Sequence, residues 1–406
     1  MLLQNFLLYL VLVYHIANIG IRKFLFTFKN QVDFAKVITS GRKTTTPTPL
    51  DVSITKVKIQ RRDNIVVKNT VGAHDYNGTF NAEWVDYDKN GPTEKMERVI
   101  LYIHGGAYFL GNRRTHRIMT WRLAKYSNAR VLSIDYRLAP EHKFPAPIID
   151  IISAYQSLIN PTDPSQKKYL PSQVTFAGDS AGGCLAIASM LYCRDSEGLF
   201  PIPGACVGMS PWVDLTQSLP AWHLNEEYDY LPDAAYDPKY VSDTRHNVYV
   251  EHDDDITHPY ASPILCKEIE NLPISPLLIQ VGGTERVRDD GIFFAEESFK
   301  TSNIRLEIYA ESSHVFQALA PVDKFSRMAL KRIGQFINEQ TGLSIEGRPE
   351  ILRESFRFDQ SEGFPMEKIH DAGGILEDGI NTLIERGIWR TKELEDGTLE
   401  VLHPKK

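Results

Sequence analysis

One stretch, Val174-Thr175-Phe176-Ala177-Gly178-Asp179-Ser180-Ala181-Gly182-Gly183-Cys184, sets the architecture of the chain. Its first four residues are apolar or β-branched and suit a buried strand, and the residues from Cys184 to Cys193 are rich in helix formers. Between them lies G-x-S-x-G. In a sharp strand-to-helix turn, only glycines let the backbone pass closely enough for the serine to project outward. Ser180 is therefore the candidate nucleophile. The amino terminus of the helix that follows favours negative charge developing beside it.

Working outward, the same rhythm repeats. Short apolar runs at Val99–Ile103, Val131–Ile134, Val174–Ala177, Ala205–Met209, Leu277–Val281 and Leu306–Tyr309 are separated by segments long enough for crossover helices. Continuous apolar strands of this kind are buried on both faces, which predicts an α/β domain around a mostly parallel sheet. Val52–Ile59 and Ile65–Val71 read as earlier strands forming an antiparallel extension, and Gln317–Asn338 as a closing helix. Residues 217–260 are rich in Tyr, Asp and Pro, break the rhythm, and read as an insertion over the ligand-binding edge of the sheet.

Each apolar run that matters for chemistry is followed by a loop with reactive or permissive residues. After Val99–Ile103 come His104-Gly105-Gly106-Ala107, where adjacent glycines can turn their amides toward a ligand. The expected oxyanion donors are the N–H groups of Gly105, Gly106 and Ala181, with His104 structural. After Leu306–Tyr309 comes His314, the histidine placed to act as base. The loop after Leu277–Val281 offers three carboxylates, Glu285, Asp289 and Asp290, and the chain order Ser, acid, His fits the α/β-hydrolase arrangement.

These motifs carry a resemblance. His104-Gly105-Gly106, Asp135-Tyr136-Arg137-Leu138-Ala139-Pro140-Glu141, Gly178-Asp179-Ser180-Ala181-Gly182-Gly183, Ser210-Pro211-Trp212-Val213-Asp214-Leu215 and His314-Val315-Phe316 resemble the hormone-sensitive lipase family of α/β-hydrolases over about residues 90–340. With its apolar amino terminus, the chain also resembles the fungal steryl acetyl hydrolases of that family. The resemblance implies that Ser180 attacks an ester carbonyl, that His314 serves as base and then acid, and that residues 217–260 with part of the amino-terminal region cap the acyl and alcohol pockets. Two positions depart from the family pattern. Ala107 replaces the usual third glycine, and Glu285 stands where an aspartate is usual. Because Glu285 lies nearest the carboxyl end of its strand, it is the expected acid, with Asp289 and Asp290 as amino-terminal charge partners of the next helix.

The expected function is cleavage of short acyl esters of hydrophobic alcohols, acetylated sterols among them, by a Ser-His-Glu triad. The alternative is a catalytically silent ligand-binding module on the same fold. No cofactor and no metal are expected. His252, Asp253, Asp254, Asp255 and His258 read as a solvated polar loop, and Cys184, Cys193, Cys206 and Cys266 lack C-x-x-C spacing and read as packed thiols. A hydrophobic content of 42% supports a large core, and a net charge of −7 argues against a nucleic-acid partner.

The two ends differ from the middle. Met1–Ile21 has no charged side chain and is long enough to span a bilayer, and the following Arg22, Lys23 and Lys29 interleave with Phe24, Leu25, Phe26 and Phe28. A membrane anchor over residues 1–30 is expected, most simply at the endoplasmic reticulum. The mitochondrion is the alternative location, because no acid precedes Asp33. The hydrolase domain is expected over 45–340. Residues 341–406 form a charged extension in which Ile375, Leu376, Ile380, Leu383 and Ile384 have helical spacing and a hairpin turns about Asp396-Gly397. This extension docks on the hydrolase domain or binds a partner.

Overall fold

The six apolar runs become six adjacent strands of one sheet. The computed structural model describes residues 39, 41–70, 75–231, 247–269, 272–342, 354–358, 366–369, 372–386, 390–393 and 399–402. Its strands are β1 (Val52–Gln60), β2 (Thr79–Tyr87), β3 (Val99–Ile103), β4 (Arg130–Ile134), β5 (Val174–Asp179), β6 (Ala205–Met209), β7 (Leu277–Gly282), β8 (Ile304–Tyr309), β9 (Glu354–Phe358) and β10 (Met366–Ile369). They lie in the order β1-β2-β4-β3-β5-β6-β7-β8-β9-β10. From β4 to β9 the pairs are parallel, while β1/β2, β2/β4 and β9/β10 are antiparallel.

Helices cover both faces, as a parallel sheet requires. On one face lie α1 (Arg117–Ser127) and the closing helix, and on the other α2 (Ala146–Ile159) and α3 (Ala181–Arg194). The strand period of two divides each run between these layers. Val99, Leu101 and Ile103 of β3 pack with α2 and α3, whereas Ile100 and Tyr102 face the opposite layer. The chain moves from β3 to β4 on one side and then returns past β3 to β5. Beside β3, therefore, successive crossovers leave in opposite directions, and the carboxyl ends of β3 and β5 border the crevice where α/β sheets bind ligands.

Two expected elements are displaced. The described part of the expected strand Ile65–Val71, residues 65–70, is a loop from which Ile65 and Val67 are buried, and β1 pairs instead with β2, Val52 opposite Tyr87. Polar residues masked β2 in the sequence. Its Glu83 is fully buried, but both carboxylate oxygens accept hydrogen bonds of 2.7 Å from Arg117, which removes the cost of an unpaired charge. The closing helix begins later than Gln317: a short 3₁₀ turn covers Phe316–Leu319, and the helix proper runs over Lys324–Gln340. Pro321 interrupts the helical pattern, and the Asp323 side chain caps the new start by accepting the Ser326 N–H.

The boundary expected at residue 340 does not divide the sheet. Beyond it, β9 pairs with β8 and β10 with β9, so the extension docks on the hydrolase domain through backbone hydrogen bonds. Its expected helix is Gly373–Glu385, which buries Leu376 and Leu383. A β-carbon on Gly379 would stand 2.9 Å from Pro220 Cβ, so this helix meets the insertion at close range. The expected hairpin is the antiparallel pair Arg390–Glu393 and Leu399–Leu402, with Glu393 opposite Leu399.

The expected anchor, residues 1–30, lies outside the described residues. Among the described residues, no helix is long and apolar enough to cross a membrane.

Ending the chain at Gly342 would leave the β8 edge unpaired and uncover the seat of Leu376 and Leu383. Such a chain should lose roughly 5 °C or more in Tm, or aggregate, when thermal unfolding is followed by circular dichroism. A soluble truncated protein with the full-length Tm would show that the extension contributes nothing to the domain.

Candidate active site

Ser180 occupies the turn between β5 and α3 with φ 53° and ψ −123°, a conformation that costs a residue with a β-carbon on the order of 1–3 kcal/mol. Close packing holds it there. The Ser180 N–H donates to Met209 O at 2.9 Å, and its carbonyl accepts from Trp212 N at 3.2 Å. A β-carbon on Gly178 would stand 2.2 Å from Gly182 O, and one on Gly182 would stand 2.1 Å from Ile103 O. Both glycines of the motif are thus required by contacts within the turn and with β3.

The loops after β7 and β8 bring the other two expected residues to Ser180. His314 Nε2 lies 2.8 Å from Ser180 Oγ, and His314 Nδ1 lies 2.9 Å from Glu285 Oε2. The second carboxylate oxygen of Glu285 accepts the Gly282 N–H at 2.7 Å. All three side chains are buried, with the serine at 8% exposure the most accessible. Burial pushes the Glu285 carboxyl above its ordinary range against the pull of His314. For His314, burial opposes the charged imidazole, but Glu285, and beyond it Asp229 and Asp179, hold its pKa above the ordinary value. The chain of contacts suits a base that takes a proton from Ser180 while a carboxylate fixes the opposite ring nitrogen.

Asp289 and Asp290 stand apart from this chain. Asp289 accepts from Arg288 Nε and from the Ala221 N–H, and Asp290 accepts the Asp214 N–H at 3.1 Å. They open the helix Arg288–Phe293, as the sequence suggests, but their side chains tie it to the segments after β6. Burial, and then the nearby Asp214 charge, push Asp290 well above the carboxylate range.

The loop after β3 requires a correction. The Gly105 N–H donates to Asp179 Oδ1 at 3.1 Å, so this amide is already engaged and is not aimed at a ligand. A β-carbon on Gly105 would collide with Asp179 Oδ2 at 2.3 Å. Gly106 takes φ 117°, where an added β-carbon would lie 2.4 Å from Leu110 O, and Ala107 follows at φ 51°. Among the described residues, the amides of Gly106, Ala107 and Ala181 donate to no protein acceptor.

Asp179 is a functional neighbour that the motif reading passed over. Its Oδ1 also accepts from Tyr102 Oη at 2.6 Å, and its Oδ2 lies 3.3 Å from His116 Nε2. Burial works against the Asp179 charge, but His116 and Tyr102 hold its pKa below the ordinary value. His116 belongs to the turn before α1, more than sixty residues away, and no sequence spacing signals the pair. His104, expected to be structural, is fully buried. It stacks on Tyr136 with ring centroids 4.4 Å apart, its Nδ1 lies 2.8 Å from Gly105 O, and burial lowers its pKa to about 3.

The insertion borders the site through its described parts. Tyr230 Oη donates to His314 O at 2.9 Å, while Tyr249 stacks on Tyr108 at 3.8 Å and Trp222 packs against Trp212. Arg137 and Asp135 fasten loops: Arg137 Nε reaches Asp150 at 3.0 Å, and Arg113 pairs with Asp135. Cys184 lies buried under the nucleophile turn, and burial raises its thiol to about 12.

Asp179→Asn removes the charge that holds His116 and weakens the seat of the Gly105 amide. Modification of Ser180 by a fluorophosphonate should then slow by roughly 10²-fold, since misplacing a site group by about 1 Å costs that much. An unchanged labelling rate in a variant with wild-type circular dichroism would show that Asp179 does not govern this loop.

Comparison with known proteins agrees with the fold. A family model described as the alpha/beta hydrolase fold matches residues 100–318. An acetyl-hydrolase of Streptomyces hygroscopicus is 34% identical over 274 residues, 66% of this chain and 83% of that one. An esterase of Acinetobacter venetianus is 30% identical over 240 residues, 59% of this chain and 74% of that one. Among solved structures, EstE5 soaked with ethyl alcohol aligns with a TM-score of 0.63 at 29% identity, covering 80% of this chain and 98% of that one. An esterase from the bacterial hormone-sensitive lipase family aligns with a TM-score of 0.61 at 28% identity, covering 80% and 97%. The family match spans more than half of the chain and includes β4 to β8, the turn at Ser180 and the His314 loop, so this chain belongs to the α/β-hydrolase family, in its hormone-sensitive-lipase-like branch.

Proposed function

We propose that this chain hydrolyses carboxylic esters of hydrophobic alcohols, acetylated sterols among them, with Ser180 as nucleophile, His314 as base and acid, and Glu285 as the triad carboxylate. The observation that carries the reading is the unbroken contact chain from Ser180 Oγ through the imidazole to Glu285, at 2.8 and 2.9 Å. His314 Nε2 takes the serine proton as Oγ attacks the ester carbonyl, and returns it to the alcohol as that bond breaks. Water then attacks the acyl-serine with His314 again as base. The oxyanion is received by the amides of Gly106, Ala107 and Ala181, the last at the amino terminus of α3.

The acyl group on Ser180 would be short. Trp212, whose backbone N–H holds the Ser180 carbonyl, and Tyr108 pack with Trp222 and Tyr249 of the insertion into one aromatic group, and this bulk beside Ser180 supports a short acyl pocket. Residues 217–260 would serve as the cap over the acyl and alcohol pockets. With p-nitrophenyl esters from acetyl to palmitoyl, kcat/KM should be greatest at the short end, and acetylated sterols should be cleaved. A maximum at palmitoyl would overturn the short-acyl reading. Absence of fluorophosphonate labelling at Ser180 in the native protein would favour a ligand-binding module instead.

The carboxylate assignment has its own test. Glu285→Gln should lower kcat by roughly 10³–10⁴-fold with little change in KM, as loss of a triad acid does. Asp289→Asn and Asp290→Asn should lower Tm more than turnover, because their oxygens serve backbone amides of other segments. Abolished turnover in either aspartate variant, with Glu285→Gln near wild type, would move the role to that aspartate.

A further inference from the structure

The peptide unit that follows Glu285 is held at both ends by the insertion. Asn225 Nδ2 donates to Glu285 O at 2.8 Å, and Asp229 Oδ2 accepts the Arg286 N–H at 2.7 Å. These are the carbonyl and the amide of a single peptide plane, so its rotation is fixed from one short segment of the chain. Asp229 Oδ1 accepts the Tyr230 N–H at 2.7 Å, and the next residue's hydroxyl, Tyr230 Oη, holds the His314 carbonyl. Arg286 is bound into the same segment, its Nε donating to Trp222 O at 2.8 Å and its Nη1 to Leu231 O at 3.1 Å.

Asp229 is buried at 1% exposure and has no role in the triad chemistry. The charged groups facing it are Arg286 and Glu285 from the loop after β7 and His314 from the loop after β8; Asp179 faces His314 from the nucleophile turn. A buried carboxylate is costly unless its lone pairs are met, and here the backbone amides meet them. We propose that Asp229 is a positioning residue for ester hydrolysis: it orients the Glu285–Arg286 peptide, and with it the acid, and keeps a second negative charge against the His314 imidazole. This rests on the assignment of Ser180, His314 and Glu285 given above.

The charges bear this out in direction. Burial raises the Asp229 carboxyl, against the pull of His314 and of the backbone N–H groups of Arg286, Tyr230 and Leu231. At His314, Asp229 acts in the same direction as Glu285, favouring the protonated ring against burial. Removing the Asp229 charge therefore lowers the pKa of the base. Since His314 must be neutral to accept the serine proton, activity would then persist to lower pH.

The test is the pH dependence of kcat/KM for p-nitrophenyl acetate in the full chain, for wild type, Asp229→Asn, Asp229→Glu and Glu285→Gln. For Asp229→Asn the acid limb should move down by roughly half a unit or more, and the plateau should fall by roughly 10-fold through kcat rather than KM. Asp229→Glu keeps the charge on a longer stem, so its acid limb should return to the wild-type position while its plateau stays low. An acid limb in folded Asp229→Asn that coincides with wild type overturns the proposal. Should Asp229→Asn not fold, the comparison passes to Asp229→Glu, whose plateau at the wild-type level would overturn it equally. In both cases Glu285→Gln, with its large loss of kcat, leaves the triad standing. Near-wild-type turnover of Glu285→Gln would remove the triad assignment and the proposal together.

Discussion

Ser180 stands in a left-handed backbone conformation that a residue with a β-carbon resists, and everything functional in the molecule is arranged around that turn. The strain persists only because the surroundings leave no alternative. Gly178 and Gly182 touch each other and β3 at distances that exclude a side chain, and Met209 and Trp212 hold the serine backbone from β6 and its following loop. This turn lies where three neighbouring parallel strands end together. The sheet order places β5 between β3 and β6, and that placement brings the glycine loop and Ser180 to the same edge.

A second constraint is electrostatic. Glu285, Asp229, Asp289, Asp290, Asp214 and Asp179 are all buried, in a region where an unmet carboxylate is expensive. Most are met by backbone amides of neighbouring segments, so each doubles as a fastening between loops: Asp179 to the loop after β3, Asp229 to the loop after β7, Asp289 and Asp290 to the segments after β6. The site is therefore held by acceptors that lie away from the reacting atoms. The geometry of His314 depends on several such bonds at once.

The carboxyl-terminal extension belongs to the same construction. Its first two strands continue the sheet past β8, and its helix lies against Pro220 and Leu224 of the insertion, whose next residues clamp the loop after β7. A path of direct contacts thus runs from residue 379 through residues 220–230 to Glu285. Each step is a packed or hydrogen-bonded contact.

The sequence by itself determined the alternation of six buried strands with helices, the glycine-flanked turn at Ser180, the histidine at 314 and a carboxylate in the loop after β7. Those features are local: an apolar run, a glycine pattern and a loop position each appear in a few consecutive residues. It did not show β2, because Glu83 and Asp86 hide the strand until Arg117 and Arg130 arrive from elsewhere in the chain to pair with them. Nor did it show that Gly105 is taken by Asp179, that Asp229 and Asn225 grip the peptide after Glu285, or that Glu354–Phe358 and Met366–Ile369 extend the sheet. Each of these joins positions tens of residues apart through a single polar contact or a strand edge, and only the folded chain decides which buried donor meets which acceptor.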